Sequence, residues 1–309
     1  MRATLAVLLS SLLLVPIISS AATDIDVEWE DARVSKGTIG GTIGGLSISL
    51  SDNSTESSVS SDVSELPTVI EVYTATWCTN CVATEGHMEE AIGDSDVELI
   101  HYHRHWFEPT DPFGSNSTEE RWESQYGHAV TLAGGSPRLA PTNVIDGERL
   151  HFGTRAKTSS LIEDYTLSIS EGTSAPVTGQ LSLMTSSSQE QEIEISWDTS
   201  GMMYYCADDC PSFVASPWIL FVEESAYFPE GSNGLEYYSH VLHEAIELEG
   251  EEGTLSMTPP PAWDDNDMSL VLIVDWEQES PDNGSPLPAA GLSTLLCSLA
   301  ALLPRRRDN

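Results

Sequence analysis

The chain has 309 residues, with 49 Asp and Glu against 12 Lys and Arg, for a formal charge of −37. A surface this acidic repels phosphate backbones, which excludes nucleic acid as a partner. Hydrophobic residues still make up 40% of the chain and charged residues only 20%, so it can bury a core. Lysine occurs only at Lys36 and Lys157, and Arg2, Arg305, Arg306 and Arg307 lie at the ends, so the body between them is more acidic still.

In chain order, residues 1–22 read as a secretory signal. Arg2 opens a basic start, an apolar run covers 3–18, and Ser19-Ser20-Ala21-Ala22 supplies the small residues of a cleavage site. Residues 23–65 read as a flexible spacer, acidic at first, then a Gly/Thr/Ile repeat over 37–45, then Ser and Asp. That Gly cluster lacks the spacing and the Lys of a phosphate-binding loop, so no nucleotide site is implied. Sequons at Asn53, Asn116 and Asn283 are candidate glycosylation points.

Order is expected from Leu66. A β-branched run over 67–74 predicts a buried strand, 79–92 a helix, 97–106 a second strand and 117–126 a helix with Ser117 and Glu120 as a capping box. Residues 142–145 and 148–152 flank Asp146-Gly147, a strong hairpin signal, and 159–169 predicts a closing helix. Beyond about Ser174 the pattern changes to short strands at 181–185, 192–197, 217–224, 237–247, 254–257 and 268–276, which predicts an antiparallel sandwich. After a Pro- and Ser-containing linker, residues 289–303 are apolar and Pro304 and three Arg follow. Fifteen helical residues rise only about 22 Å against a hydrocarbon core of about 30 Å. The tail is similar to the C-terminal sorting tails of archaeal surface proteins, which are clipped and exchanged for a lipid anchor; a plain tilted or shortened membrane helix is the alternative, and either implies a protein held at the outer face of the membrane through 280–309.

Chemistry concentrates at Trp77-Cys78-Thr79-Asn80-Cys81, where the first strand gives way to the first helix. A thiol at a helix N-terminus faces unpaired amides and the positive end of the dipole, which favour thiolate. Two intervening residues bring the second thiol one turn on. Cys78 is therefore the expected nucleophile and Cys81 the resolving thiol. A second half-site at zinc spacing is missing, so a structural zinc is not predicted. Downstream, Pro141 precedes the hairpin in Leu139-Ala140-Pro141-Thr142, where a cis peptide would leave a groove for a client strand.

Strand, W-C-x-x-C, helix, and a late Pro-Thr strand running into an Asp-Gly hairpin resemble a thioredoxin-fold protein. Ile70 to Thr74, the run His101-Tyr102-His103-Arg104-His105-Trp106, Asp111-Pro112-Phe113 and the Arg121 to Tyr126 helix are similar to a secreted thioredoxin-like family of unknown function. In that family a β-sandwich is appended. The resemblance implies an α/β thioredoxin-like fold over 66–172 followed by an all-β antiparallel sandwich over 173–279. It also implies a thiol–disulfide oxidoreductase that acts on client thiols and disulfides with a separate electron donor or acceptor and needs no cofactor. Trp77 and Pro141 would complete the site. The buried acid expected six residues before the first Cys is Val72 here, and Glu71 stands one position earlier. On an alternating strand that turns Glu71 to the other face, where it is either a proton relay to Cys81 or a structural acid.

His101, His103 and His105 alternate along the second strand and would share a face. With the thiols they suggest a competing reading, a non-catalytic surface binding module or copper carrier; the blander one is three partly hydrogen-bonded strand-end histidines. Cys206 and Cys210, with three residues between them in a β-region loop, are expected to form a structural disulfide in an oxidising exterior. Cys297 falls in the apolar tail and is expected to be inert.

Overall fold

The computed structural model describes residues 27–33, 39–50, 56–187, 192–205, 212–264 and 266–278. The expected signal peptide, the apolar C-terminal tail, Cys297, the Cys206–Cys210 pair, Asn53 and Asn283 all lie outside these residues. Among the described residues, no helix is long and apolar enough to cross a membrane.

In chain order the elements are β1 (Glu30–Asp31), β2 (Ile39–Ser49), β3 (Glu56–Asp62), β4 (Thr68–Thr74), α1 (Thr79–Ile92) and β5 (Val97–His103). Next come α2 (Asn116–Trp122) and α3 (His128–Leu132), joined by a π-helical turn at Glu123–Gly127. The hairpin β6 (Thr142–Ile145) and β7 (Arg149–Phe152) leads to α4 (Leu161–Glu171). Then follow β8 (Val177–Thr178), β9 (Gln180–Ser187), β10 (Ile193–Asp198), β11 (Met203–Tyr204), β12 (Phe213–Tyr227), β13 (Tyr237–Glu247), β14 (Glu252–Met257) and β15 (Met268–Gln278).

Nine of these strands form one mixed sheet in the order β1-β7-β6-β4-β5-β13-β12-β15-β2. This overturns the expected α/β thioredoxin-like fold followed by a separate all-β antiparallel sandwich. The strands of 66–172 are only part of a sheet that continues through β13, which pairs parallel to β5 at Val241 and His101. Pairing covers what would otherwise be an open, aggregation-prone edge of β5. The apolar core is continuous as well. Tyr73, Ile100, Tyr102 and Trp122 pack in one cluster with Leu220, Leu242, Val271 and Ile273, so no boundary falls near residue 172. A second layer, β14-β10-β9-β3, packs Leu181, Leu183, Ile195 and Trp197 against Leu46, Phe221, Leu272 and Trp276.

The expected spacer is also corrected. Residues 39–49 form the edge strand β2, paired to β15 over its length, and 56–62 form β3 beside β9. The glycines misled because Gly density here serves close approach rather than flexibility. At Gly44, φ is +132° where the β2–β15 register shifts, and a Cβ would lie 2.6 Å from Ile273 Cα. The N-cap of α2 is Ser115, whose Oγ accepts the Thr118 amide, and not Ser117; Ser117 Oγ instead accepts the Ala245 amide of β13 at 3.2 Å.

The β6–β7 turn places Asp146 and Gly147 at φ of 52° and 63°, the left-handed pair that a tight hairpin requires. At Gly147 a Cβ would meet Thr42 Oγ1 at 2.3 Å and Arg33 Nη2 at 2.9 Å. Gly147→Ala is therefore expected to cost about 2 kcal/mol or more, from the left-handed backbone together with overpacking. Chemical denaturation reads this directly, and an unchanged midpoint would contradict it.

Candidate redox site

The sheet's parallel β4–β5 pair aims the end of β4 at the start of α1. Cys78 is the N-cap of α1, in extended conformation, and its Sγ accepts the Cys81 amide at 3.2 Å. Cys78 and Cys81 are joined as a disulfide. Cys78 is 5% exposed and Cys81 0%, so Cys78 is the member of the pair nearer to a client. Ala75 shares a buried cluster with both cysteines, and Trp77 and Ala140 pack against that cluster.

Trp77 is fixed at its rim. Its Nε1 donates to Glu108 Oε2 at 2.7 Å, and the Arg104 guanidinium lies 5.7 Å from its ring centroid. On the opposite chain segment the Ala140–Pro141 peptide is cis. Pro141 O accepts the Gly153 amide at 2.8 Å, and Thr142 Oγ1 donates to Leu139 O at 2.7 Å, which ties this loop to the β6–β7 hairpin. Proline carries no N–H, so residue 141 adds no backbone donor beside the sulfurs. A cleft of about 550 Å³ adjoins the loop, lined by Leu139, Phe152, Gly153 and Arg155 among others.

Glu71 is not part of this cluster. On β4, Val72 faces the core of α1 and α4 with Met88 and Tyr165, whereas Glu71 points to the α2 side. There it is fully buried, accepts hydrogen bonds from Tyr102 at 2.5 Å and from Tyr126, and pairs with Arg121 at 3.4 Å. Its role is structural, and the relay reading is corrected accordingly.

The three histidines are not brought together as a ligand set. β5 ends at His103, so His105 leaves the alternation. His101 is buried, 6.0 Å from the His240 ring centroid, and burial holds its pKa well below the usual range, with the neighbouring histidines adding to the effect. His103 turns its Nδ1 to Asp111 at 3.0 Å. Among the described residues, no three His, Cys, Asp or Glu are arranged to hold a metal.

Two acids near the cysteines were given no role from the sequence, although Asp111 lies in one of the runs that carry the family resemblance. Asp111 accepts the Thr76 amide at 2.8 Å and thereby fixes the segment before Trp77. Glu85 follows Cys81 by one helical turn, and its Oε1 accepts the Thr74 hydroxyl at 2.5 Å. The i, i+4 spacing from Cys81 was the signal available for Glu85. Asp111 sits in a loop and offered no periodic cue.

No protein-family model matches the chain, and no curated protein matches it. Two solved structures are similar in part. The X-ray structure of protein AGR_C_4864 from Agrobacterium tumefaciens superposes with a TM-score of 0.38 at 17% identity, over 62% of this chain and 78% of the other. HBP35 of Porphyromonas gingivalis gives a TM-score of 0.39 at 15% identity, over 73% and 78%. At these scores neither likeness bears on the fold or the activity.

Proposed function

We propose that the chain is an extracytoplasmic thiol–disulfide oxidoreductase. One observation carries the reading: a Cys78–Cys81 pair at the start of α1, with Cys78 slightly exposed, Cys81 sealed, and Trp77 and Ala140, the residue before Pro141, packed against their cluster. A client thiolate or disulfide meets Cys78, and Cys81 resolves the mixed disulfide from within. Clients are protein thiols or disulfides, and a separate donor or acceptor resets the pair. The apolar ends of the sequence support export and attachment at the outer membrane face.

The test is metal-free turnover of a protein disulfide such as that of insulin, together with the reduction potential of Cys78/Cys81 from a glutathione redox titration. Turnover that disappears in Cys78→Ser supports the reading. A pair that never exchanges with small thiols, combined with stoichiometric retention of Cu(I), would replace it with the carrier alternative.

A further inference from the structure

The backbone turn that presents Cys78 is held by residues far downstream. Cys78 N donates to Ala75 O at 2.9 Å, which closes a turn over 75–78. Two loops from elsewhere in the chain satisfy the peptide groups of this turn. On one side Asp111 Oδ2 accepts the Thr76 amide at 2.8 Å. On the other stands the loop over 228–236, between β12 and β13. Its Asn233 amide donates to Thr76 O at 3.1 Å. The hydroxyl of Tyr238, 162 residues beyond Thr76, lies 2.8 Å from Asn233 Oδ1 and 3.3 Å from the same Thr76 O. Asn233 Nδ2 also reaches Ala75 O at 3.5 Å.

The loop that makes these contacts is itself fixed. The Phe228 amide donates to Glu236 O at 2.8 Å, and Asn233 Oδ1 accepts the Leu235 amide at 3.0 Å. Tyr238 is 5% exposed, and its ring packs on Phe113 with centroids 5.5 Å apart. The Phe113 amide in turn donates to Asp111 Oδ1 at 3.2 Å, so the two sides of the turn's support are joined behind it. Gly231 allows the close approach: a Cβ there would lie 1.9 Å from the Tyr238 hydroxyl oxygen and 3.1 Å from Thr76 O.

In the oxidised protein the disulfide tethers Cys78 to α1. Reduction removes that tether, and Cys78 Sγ then keeps its place against the Cys81 amide only as firmly as the turn before it is held. Resting on the thiol–disulfide reading above, we infer that the β12–β13 loop is a positioning clamp for the reduced dithiol. Asn233 and Tyr238 hold the Thr76 carbonyl, Asp111 holds the Thr76 amide, and the turn between them keeps Cys78 Sγ on the start of α1. Asn233 and Tyr238 are positioning residues that act through the backbone and do not touch the sulfurs. A thiol kept at the helix start ionises at lower pH than one free to swing away from it. The clamp thus gives a segment outside residues 66–172 a part in the chemistry of Cys78.

The test is the pH profile of Cys78 alkylation in the reduced full-length protein, read by mass spectrometry of singly alkylated peptides, with insulin turnover measured in parallel. Tyr238→Phe removes the hydroxyl and keeps the ring on Phe113. Gly231→Ala drives a methyl into the contact between loop and turn. A hydrogen bond shifts an equilibrium roughly two- to tenfold, so alkylation at mildly acidic pH is expected to fall about threefold in each variant. The profile should move toward the ordinary thiol value of about 8.5. A merely structural role would lower the unfolding midpoint and leave the Cys78 profile at its wild-type position. That result overturns the inference while the redox reading stands. Wild-type protein that turns over no insulin disulfide overturns both. Should neither variant fold, hydrogen exchange at the Asn233 amide of the wild-type protein decides. It is expected to be slow in the oxidised and reduced forms alike, and exchange at the rate of an open loop amide in the reduced form overturns the inference.

Discussion

In the Cys81→Ser variant, reaction with a client disulfide is expected to stop at a mixed disulfide on Cys78, with turnover falling to background. In the reduced wild-type protein, Cys78 is expected to be alkylated about tenfold faster than Cys81 at mildly acidic pH. Both expectations follow from position. Cys78 caps α1, its sulfur receives the Cys81 amide at 3.2 Å, and it is the member of the pair with exposed surface. A charge-assisted bond to the helix start stabilises thiolate, and motifs of this kind lower a thiol from about 8.5 to about 3.5–7.5. Cys81 is sealed at 0% exposure, where burial in apolar surroundings disfavours the charged form. Mass spectrometry of singly alkylated peptides separates the two sites. Labelling that begins at Cys81 would reverse the assigned roles and the direction of attack.

Local signals in the sequence reached the elements around the disulfide, and non-local ones did not. The strand before Trp77, the helix over 79–92 and the Asp146-Gly147 hairpin were legible because each is set by neighbours within a few residues. The partner of β5 was not, because nothing in residues 97–103 names β13, more than a hundred residues downstream, as its neighbour. The Gly-rich segment over 37–45 failed for a related reason. Composition suggested a loose linker, whereas Gly44 lets β2 press onto Ile273 of a strand near the other end of the described chain. Glu71 shows the reach and the limit of period-2 reasoning. Alternation put it on the face opposite Val72, but its tyrosine and arginine partners come from β5, α2 and the π-helical turn and were invisible.

Asp275→Asn is expected to destabilise the fold by about 3–5 kcal/mol, the usual cost of removing one partner from a buried ion pair. Asp275, on β15, lies between two fully buried cations. Arg33 Nη2 reaches its Oδ1 at 2.8 Å and Arg121 Nη1 its Oδ2 at 2.6 Å, while Thr42 Oγ1 of β2 donates to Oδ1 at 2.8 Å. Arg121 continues to Tyr102 at 2.9 Å and Glu71 at 3.4 Å, and lies 4.6 Å over the Trp218 ring. Arg33 also donates to Gly147 O at 3.1 Å and Gly41 O at 3.2 Å. The network thus ties β2, β4, β15, α2 and the chain before β2 across the whole sheet, and two cations balance Glu71 and Asp275. Burial pushes the Asp275 carboxyl up, but Arg121 and Arg33 outweigh it and hold the group well below the ordinary carboxylate range. A carboxyl depressed in the folded state contributes stability that is full above its unfolded value of about 3.9 and lost as pH falls below it. Wild type should therefore lose stability in acid more steeply than Asp275→Asn, and the two curves should converge as pH drops. Salt offers a second check: buried pairs are screened little, so the difference at neutral pH should persist in molar salt, while a loss below about 1 kcal/mol would place Asp275 among ordinary surface charges. Replacing Arg33, Arg121, Glu71 and Asp275 together with apolar residues of similar volume should restore much of the stability, because what the single variant exposes is uncompensated charge and not a missing contact.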